Sequence, residues 1–187
     1  MENVREIFDS IARVLSYPGE EYMRNVAQCR NLCAASRFDS IEVGRTVLAK
    51  LDGFNTAISG LSAGGLEELY THTFDINPVS SLEVGWHLYG ETYERGAFLV
   101  QMRDLLRQCS IEESSELPDH LTHTLLAVGR MCEGEGSMFI SSHLLKAIDK
   151  MLEGFAGKEN PYEHMLTAVK LLLTETCKQA SQQEMKS

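Results

Sequence analysis

The chain has 187 residues, of which 43% are hydrophobic and 24% charged, with one tryptophan and four prolines. That length suits a single domain able to bury roughly two thirds of its surface, and the composition is that of a globular, helix-leaning protein. The net charge of -10 excludes a nucleic-acid footprint, which needs clustered Lys and Arg. Two uses of the acidity stay open, solubility and an acidic docking surface for a basic partner.

Helical periodicity begins at once. Val4, Ile7, Phe8, Ile11, Val14 and Leu15 recur at three- and four-residue steps until Tyr17-Pro18-Gly19 interrupts them. A second helix is expected over about 20 to 35 through Tyr22, Val26, Cys29 and Cys33, and a third over about 39 to 59 through Val47, Leu51, Phe54 and Ile58. Leu66, Leu69, Tyr70 and Phe74 mark a short fourth helix, closed where Asn77 precedes Pro78. The stretch from there to Gly90 reads as irregular.

The period returns over about 91 to 109 with Phe98, Met102 and Leu105, and an acidic loop, 112 to 116, comes next. Asp119 is placed to cap a helix carrying Leu121, Leu125, Val128 and Cys132, which Gly134 and Gly136 should end. Another helix is expected over about 137 to 154. The last has Asn160 as cap, Pro161 at its first position and Glu163 at the capping-box position, before Met165, Leu166, Val169 and Leu172. No strand run or repeat emerges. The expectation is an all-α, single compact multi-helix bundle over 1–180, with a frayed polar tail at 181–187.

Little in the sequence argues for catalysis or metal. No Glu has His three positions later, as a di-iron bundle needs, and Gly157-Lys158 lacks the first glycine of a P-loop. Cys29 and Cys33 share a helix face but have no second pair to complete four ligands, and no His-Glu-x-x-His pattern surrounds His120 and His123. No metal or other cofactor is expected. The odd count of five cysteines points to free, buried thiols in a reducing compartment. The N-terminus Met-Glu-Asn-Val-Arg-Glu has neither a basic n-region nor an apolar core, and no stretch approaches the roughly 20 apolar residues that span a bilayer. A cytoplasmic protein without stable membrane insertion is expected.

One region is denser in unusual residues than a plain bundle needs. Five elements occur there in order: Tyr70 to Phe74, Asp75 to Pro78, His87 to Gly90, Arg95-Gly96, and Glu116-Leu117-Pro118-Asp119. The pattern resembles the redox-enzyme maturation chaperones, in particular the nitrate reductase delta-subunit (NarJ-like) branch of the family that includes TorD and DmsD. The Asp119-His120 pair is similar to that of the TorD and DmsD branches. The resemblance implies a chaperone without turnover of its own. Its partners would be the N-terminal leader peptide, often of twin-arginine type, and the apo-form of a molybdopterin-containing reductase subunit, held until the cofactor is inserted.

A leader that is basic at its start and apolar afterwards matches an apolar groove with an acidic rim. Candidate peptide-binding residues are Tyr70, Phe74, Trp86, His87, Leu88, Tyr89, Arg95, Glu116, Asp119 and His120, with Glu91, Glu94, Glu112 and Glu113 as further rim acids. Several have plainer alternatives. Tyr70, Phe74 and Tyr89, at helical or near-helical spacing, suit a core more often than a ligand site, Asp119 suits an N-cap, His120 a buried site, and Arg95 either a pair with Glu91 or a clamp on the 116 to 119 loop. Two other functions stay open: a general helical adaptor with no leader specificity, and an enzyme or nucleotide-dependent assembly factor using Asp119 and His120.

Overall fold

The structure, a computed structural model, describes residues 4–184. Helices α1 (Val4–Val14), α2 (Tyr22–Ala35) and α3 (Ile41–Ile58) form where the periodicity places them. Pro18 and Gly19 break the chain between α1 and α2, and the Ser40 hydroxyl accepts from Val43 N–H to cap α3. Beyond them lie α4 (Ala63–Tyr70), α5 (Val84–Tyr89), α6 (Tyr93–Gln108), α7 (Leu121–Val128), α8 (Glu133–Phe139), α9 (Leu145–Glu153) and α10 (Tyr162–Glu184). The expected all-α bundle is the observed one.

The packing reflects which helices have apolar faces to hide. α10 lies along α3 and also meets α8 and α9, while α1 is held between α2 and α7. One continuous core results, with Phe8, Ile11, Leu51, Phe54, Leu125, Ile148, Leu166 and Leu172 inside it. Its aromatic end is a set of tilted and edge-to-face rings: Tyr162 meets Phe54 at 5.2 Å, Phe74 at 4.6 Å and Tyr70 at 6.1 Å between centroids. The buried hydroxyls find partners, Tyr22 with Tyr162 at 2.8 Å and Tyr70 with the Leu15 carbonyl at 3.1 Å. Burial pushes the Tyr22 phenol up to about 12.

The second half departs from the expected boundaries. Residues 84 to 89, expected to be irregular, form α5, which is too short for any period to show. α7 ends at Val128, and Gly134 and Gly136 lie inside α8 instead of ending a helix. Packing against α10 keeps α8 helical despite the two glycines. Gly129 follows α7 where the chain passes close to α1, since a Cβ there would stand 3.2 Å from Arg5 Cα. Arg130 then fastens the corner, donating to Asp9 at 2.6 and 3.2 Å. Two wider π-helical turns interrupt the helices, Thr71–Asp75 after α4 and Ile140–Leu144 between α8 and α9.

α10 continues to Glu184, into the stretch expected to be a polar tail, and residues 185–187 lie outside the described residues. Its start is capped as expected by Asn160, whose Oδ1 accepts from Tyr162 N–H at 2.9 Å. The capping box is not closed by Glu163, since Asn160 N–H donates to the Lys158 carbonyl. The other face of the Asn160 amide donates to Thr73 Oγ1 at 2.8 Å, tying α10 to the π-turn after α4. Asn160→Ala should therefore lower stability by about 1–2 kcal/mol in urea unfolding. Asn160→Asp, which keeps the cap and loses the donor to Thr73, should fall between it and the wild type.

Candidate functional site

Two segments distant in sequence meet in a short antiparallel contact. Val84 N–H donates to the Asp119 carbonyl at 3.0 Å and Leu121 N–H to the Leu82 carbonyl at 2.7 Å, which sets Glu83 opposite His120. Facing residues of an antiparallel pair project to one side. Both side chains line a cleft of about 390 Å³, whose walls come from the π-turn and the loop after it, α5, the first turn of α6 and the end of the acidic loop.

The loop wall is built locally. Ile76 N–H closes the wide turn onto the Thr71 carbonyl at 3.2 Å, and the Ser80 hydroxyl donates to the Thr73 carbonyl at 2.6 Å. The Trp86 indole N–H donates to the Pro78 carbonyl at 2.8 Å, so the ring stands against this loop. Over the face of the ring lies the Arg95 guanidinium, 5.4 Å from its centroid. Ile76, which lines the cleft, is left 62% exposed, and Val79 and Leu117, each next in sequence to a lining residue, 55% and 44%. Apolar surface of this kind, rimmed by charge, marks interaction sites.

Asp119 does not cap α7. It is fully buried, and its Oδ2 accepts from Gly85 N–H at 2.8 Å, while His120 takes the N-cap position instead. Burial raises the Asp119 pKa above the usual carboxylate value, more than the Gly85 amide and the Arg95 charge lower it. Arg95 makes neither of its expected ion pairs within 4 Å. Its Nε and Asp119 Oδ1 are both buried without a hydrogen-bond partner.

The two histidines of α7 hold different things. His123 Nε2 accepts from Ser114 N–H at 3.2 Å, so its Nδ1 carries the proton and donates to the Leu117 carbonyl at 2.9 Å. This pins the acidic loop onto α7. His120 turns Nδ1 toward Thr122, at 2.7 Å from its hydroxyl and 3.4 Å from its N–H. Burial, with His123 nearby, depresses the His120 pKa to about 3.

Of the ten residues singled out from the sequence, Phe74, Trp86, Arg95, Glu116 and His120 line the cleft together. Asp119 lies beneath it. Tyr70 belongs to the aromatic end of the core, and Leu88 and Tyr89 pack against that core, Tyr89 with Phe98 at 5.5 Å. His87 braces the loop from behind, with Nε2 at 2.8 Å from the Ser81 carbonyl. Among the rim acids, Glu113 is paired with Arg103 at 3.1 Å, and Glu91, Glu94 and Glu112 do not line the cleft. The acids that do, besides Glu116, are Asp75 and Glu83, which sequence reasoning does not select. Asp75 is part of the Asp75 to Pro78 motif; Glu83 carries no sequence signal, because its position depends on the contact with His120.

Three carboxylates against one guanidinium give the cleft a negative field. Glu116 shows it: partial burial and then the charges of Asp75 and Glu83 push its pKa up. A family model described as nitrate reductase delta subunit matches residues 43–179, a span that contains the whole cleft and leaves out α1 and α2. The chain belongs to the nitrate reductase delta-subunit family. Its members are maturation chaperones for molybdoenzymes and not catalysts. No curated protein matches the chain.

Elsewhere among the described residues, one hydrolase-like motif of this delta-subunit family member has a structural role. No Gly-x-Ser-x-Gly of hydrolases is expected in the chain, yet Gly60-Leu61-Ser62-Ala63-Gly64 spells it. Ser62 follows no strand, however, and spends its hydroxyl capping α4 through Gly65 N–H at 3.2 Å. Among the described residues, no group of three or more His, Cys, Asp or Glu is placed to hold a metal ion, and no helix is long and apolar enough to cross a membrane. None of the five cysteines is in a disulfide. Cys29 and Cys33 are buried, Cys109 and Cys177 half-buried, and Cys132 exposed, contrary to the expectation of uniformly buried thiols, because α8 opens at Cys132 on the surface.

The Asp119 contact can be tested from both sides. A Cβ on Gly85 would come within 2.7 Å of Asp119 Oδ2 and 2.9 Å of Phe98 Cδ1, so Gly85→Ala should destabilise the fold by about 1–3 kcal/mol in chemical unfolding. Asp119→Asn keeps an acceptor for Gly85 N–H and removes a buried charge. The raised pKa means that the folded state binds the proton more tightly than the unfolded one, so the wild type gains on the variant as pH falls through that pKa. Melting curves should show the variant at least as stable as wild type at about pH 7, with the margin narrowing toward about pH 4.

Proposed function

We propose that this chain binds the N-terminal leader of a molybdopterin-containing reductase subunit at the cleft, and holds the apo-subunit in the cytoplasm until cofactor insertion. The observation that carries the reading is the joining, in one cleft, of three carboxylates with the exposed side chain of Ile76, the half-buried ring of Trp86 and the buried ring of Phe74. The acids suit the basic start of a leader, and the apolar wall suits its hydrophobic stretch. Charges at a rim steer encounter and are screened by salt, whereas a packed indole contributes most of the affinity.

The general adaptor reading has one observation in its favour. The outer face of α6 is bare, with Tyr93 90% and Val100 58% exposed. A partner seated there would not sense the cleft acids.

Calorimetry with synthetic N-terminal peptides, about 25 residues long, of the molybdoenzyme catalytic subunits from the same genome separates these readings. Leader binding at the cleft should weaken as salt rises from low to physiological strength. Trp86→Ala should lower affinity roughly 30-fold, the size of a hot-spot residue, and Glu83→Gln about two- to five-fold, as for a half-exposed charge. Affinity should fall as pH drops through the raised Glu116 pKa, since a proton there competes with the ligand's cation, and Glu116→Gln should flatten that dependence. Full affinity in all three variants, or loss only on Tyr93→Ala, would move the site to α6 and favour the adaptor.

A further inference from the structure

We infer that the floor of the cleft anchors a main-chain carbonyl of the bound segment through the Nε2–H of His120, held as a neutral donor by Thr122, and leaves the segment's basic side chains to the surrounding carboxylates. The inference rests on the reading of the cleft as a peptide site and adds which chemical group each part of it takes.

The tautomer is decided by geometry. Thr122 N–H points at His120 Nδ1, and a backbone N–H can only donate, so Nδ1 carries the lone pair and the proton sits on Nε2. The Thr122 hydroxyl, at 2.7 Å from the same atom, then donates to it as well. His120 lines the cleft although only 4% of it is exposed. Among the described residues Nε2 has no hydrogen-bond partner, which leaves its proton for a group in the cleft that the residue lines. His123 stands edge-on at 6.4 Å and spends both its ring nitrogens on the acidic loop. With its pKa near 3, His120 stays uncharged across the physiological range.

What such a donor accepts is narrowed by its neighbours. Arg95 shares the same wall, and its buried Nε has no acceptor either. Two donors, one of them cationic, oppose a lysine or arginine head at the floor. An anionic group is opposed by Asp75, Glu83 and Glu116 around it. The remaining complement is an uncharged acceptor, and in a peptide the acceptor present at every position is the carbonyl. Glu83, directly opposite His120 across the antiparallel contact, supplies an acceptor beside that donor, which suits a residue in an extended segment, whose own C=O and N–H face the same side.

The test uses the ¹⁵N-labelled full chain and a leader peptide of about 25 residues that binds in calorimetry. Long-range nitrogen–proton spectra of the free protein should show His120 protonated at Nε2 and bare at Nδ1 from about pH 8 to about pH 5, and added peptide should shift the Nε2 proton downfield. Peptides with one amide replaced by an ester at successive positions then locate the carbonyl, because an ester oxygen is the weaker acceptor. One position should lose affinity about fivefold on wild type and nothing on His120→Leu, while His120→Gln, which offers an amide N–H at similar reach, should keep the sensitivity. Should His120→Leu fail to fold, the wild-type spectra and ester series still decide. A proton on Nδ1, or tight binding with every ester tolerated and Nε2 unmoved, overturns this inference alone. No binding by any leader peptide overturns it together with the proposed function.

Discussion

Asp119 sits in a region closed to solvent, at the point where the acidic loop turns into α7, and its carboxylate accepts the first free amide of α5 at 2.8 Å. Burying that carboxylate carries a desolvation penalty, and the bond to Gly85 N–H together with the Arg95 charge offsets only part of it. The geometry of the cleft depends on this contact. It sets α5 against the start of α7, and with α5 come Trp86 at one wall and Glu83 opposite His120. Gly85 is the residue that allows the approach, since any side chain there would collide with Asp119 and Phe98. The unpartnered Oδ1 and Arg95 Nε show that the arrangement is not at a hydrogen-bonding optimum. Residual dissatisfaction of this kind is found where structure serves binding more than stability.

What can be read from the sequence divides along the range of the interactions. α1, α2 and α3 are legible because their apolar residues recur over three or more turns, and α10 because Asn160 and Pro161 announce it. The Tyr70 to Phe74 spacing places both rings inward, yet the π-turn they occupy leaves no mark in the sequence. Gly134 and Gly136 mislead because helix propensity gives way to packing against α10. At the cleft, Phe74, Asp75, Arg95 and Glu116 come from the motif, and Trp86 and His120 from positions next to its elements. Asp119 is found but given the wrong partner, since the alternative to capping α7 is a backbone amide 34 positions away. Glu83 is invisible for the same reason. Its neighbours along the chain say nothing of its position opposite His120, which exists only once the two segments pair.

The acidity that composition leaves ambiguous acquires a location. Most of the excess carboxylates are scattered over exposed helix faces or matched locally, as Glu113 is by Arg103. Asp75, Glu83 and Glu116 instead converge on one cleft, close enough for the first two to raise the pKa of the third. Repulsion among them exists before any ligand arrives, and a cation brought among them relieves it. With a leader as the ligand, this part of the affinity is long-ranged and screened, suited to capturing a basic segment quickly. The His120 donor acts only at contact distance and does not titrate near neutrality. On the proposed reading a chaperone that captures and later releases a segment gains from that division: salt, pH or competition for the basic residues would weaken the rim, while the floor would donate to a main-chain carbonyl whatever side chain accompanied it.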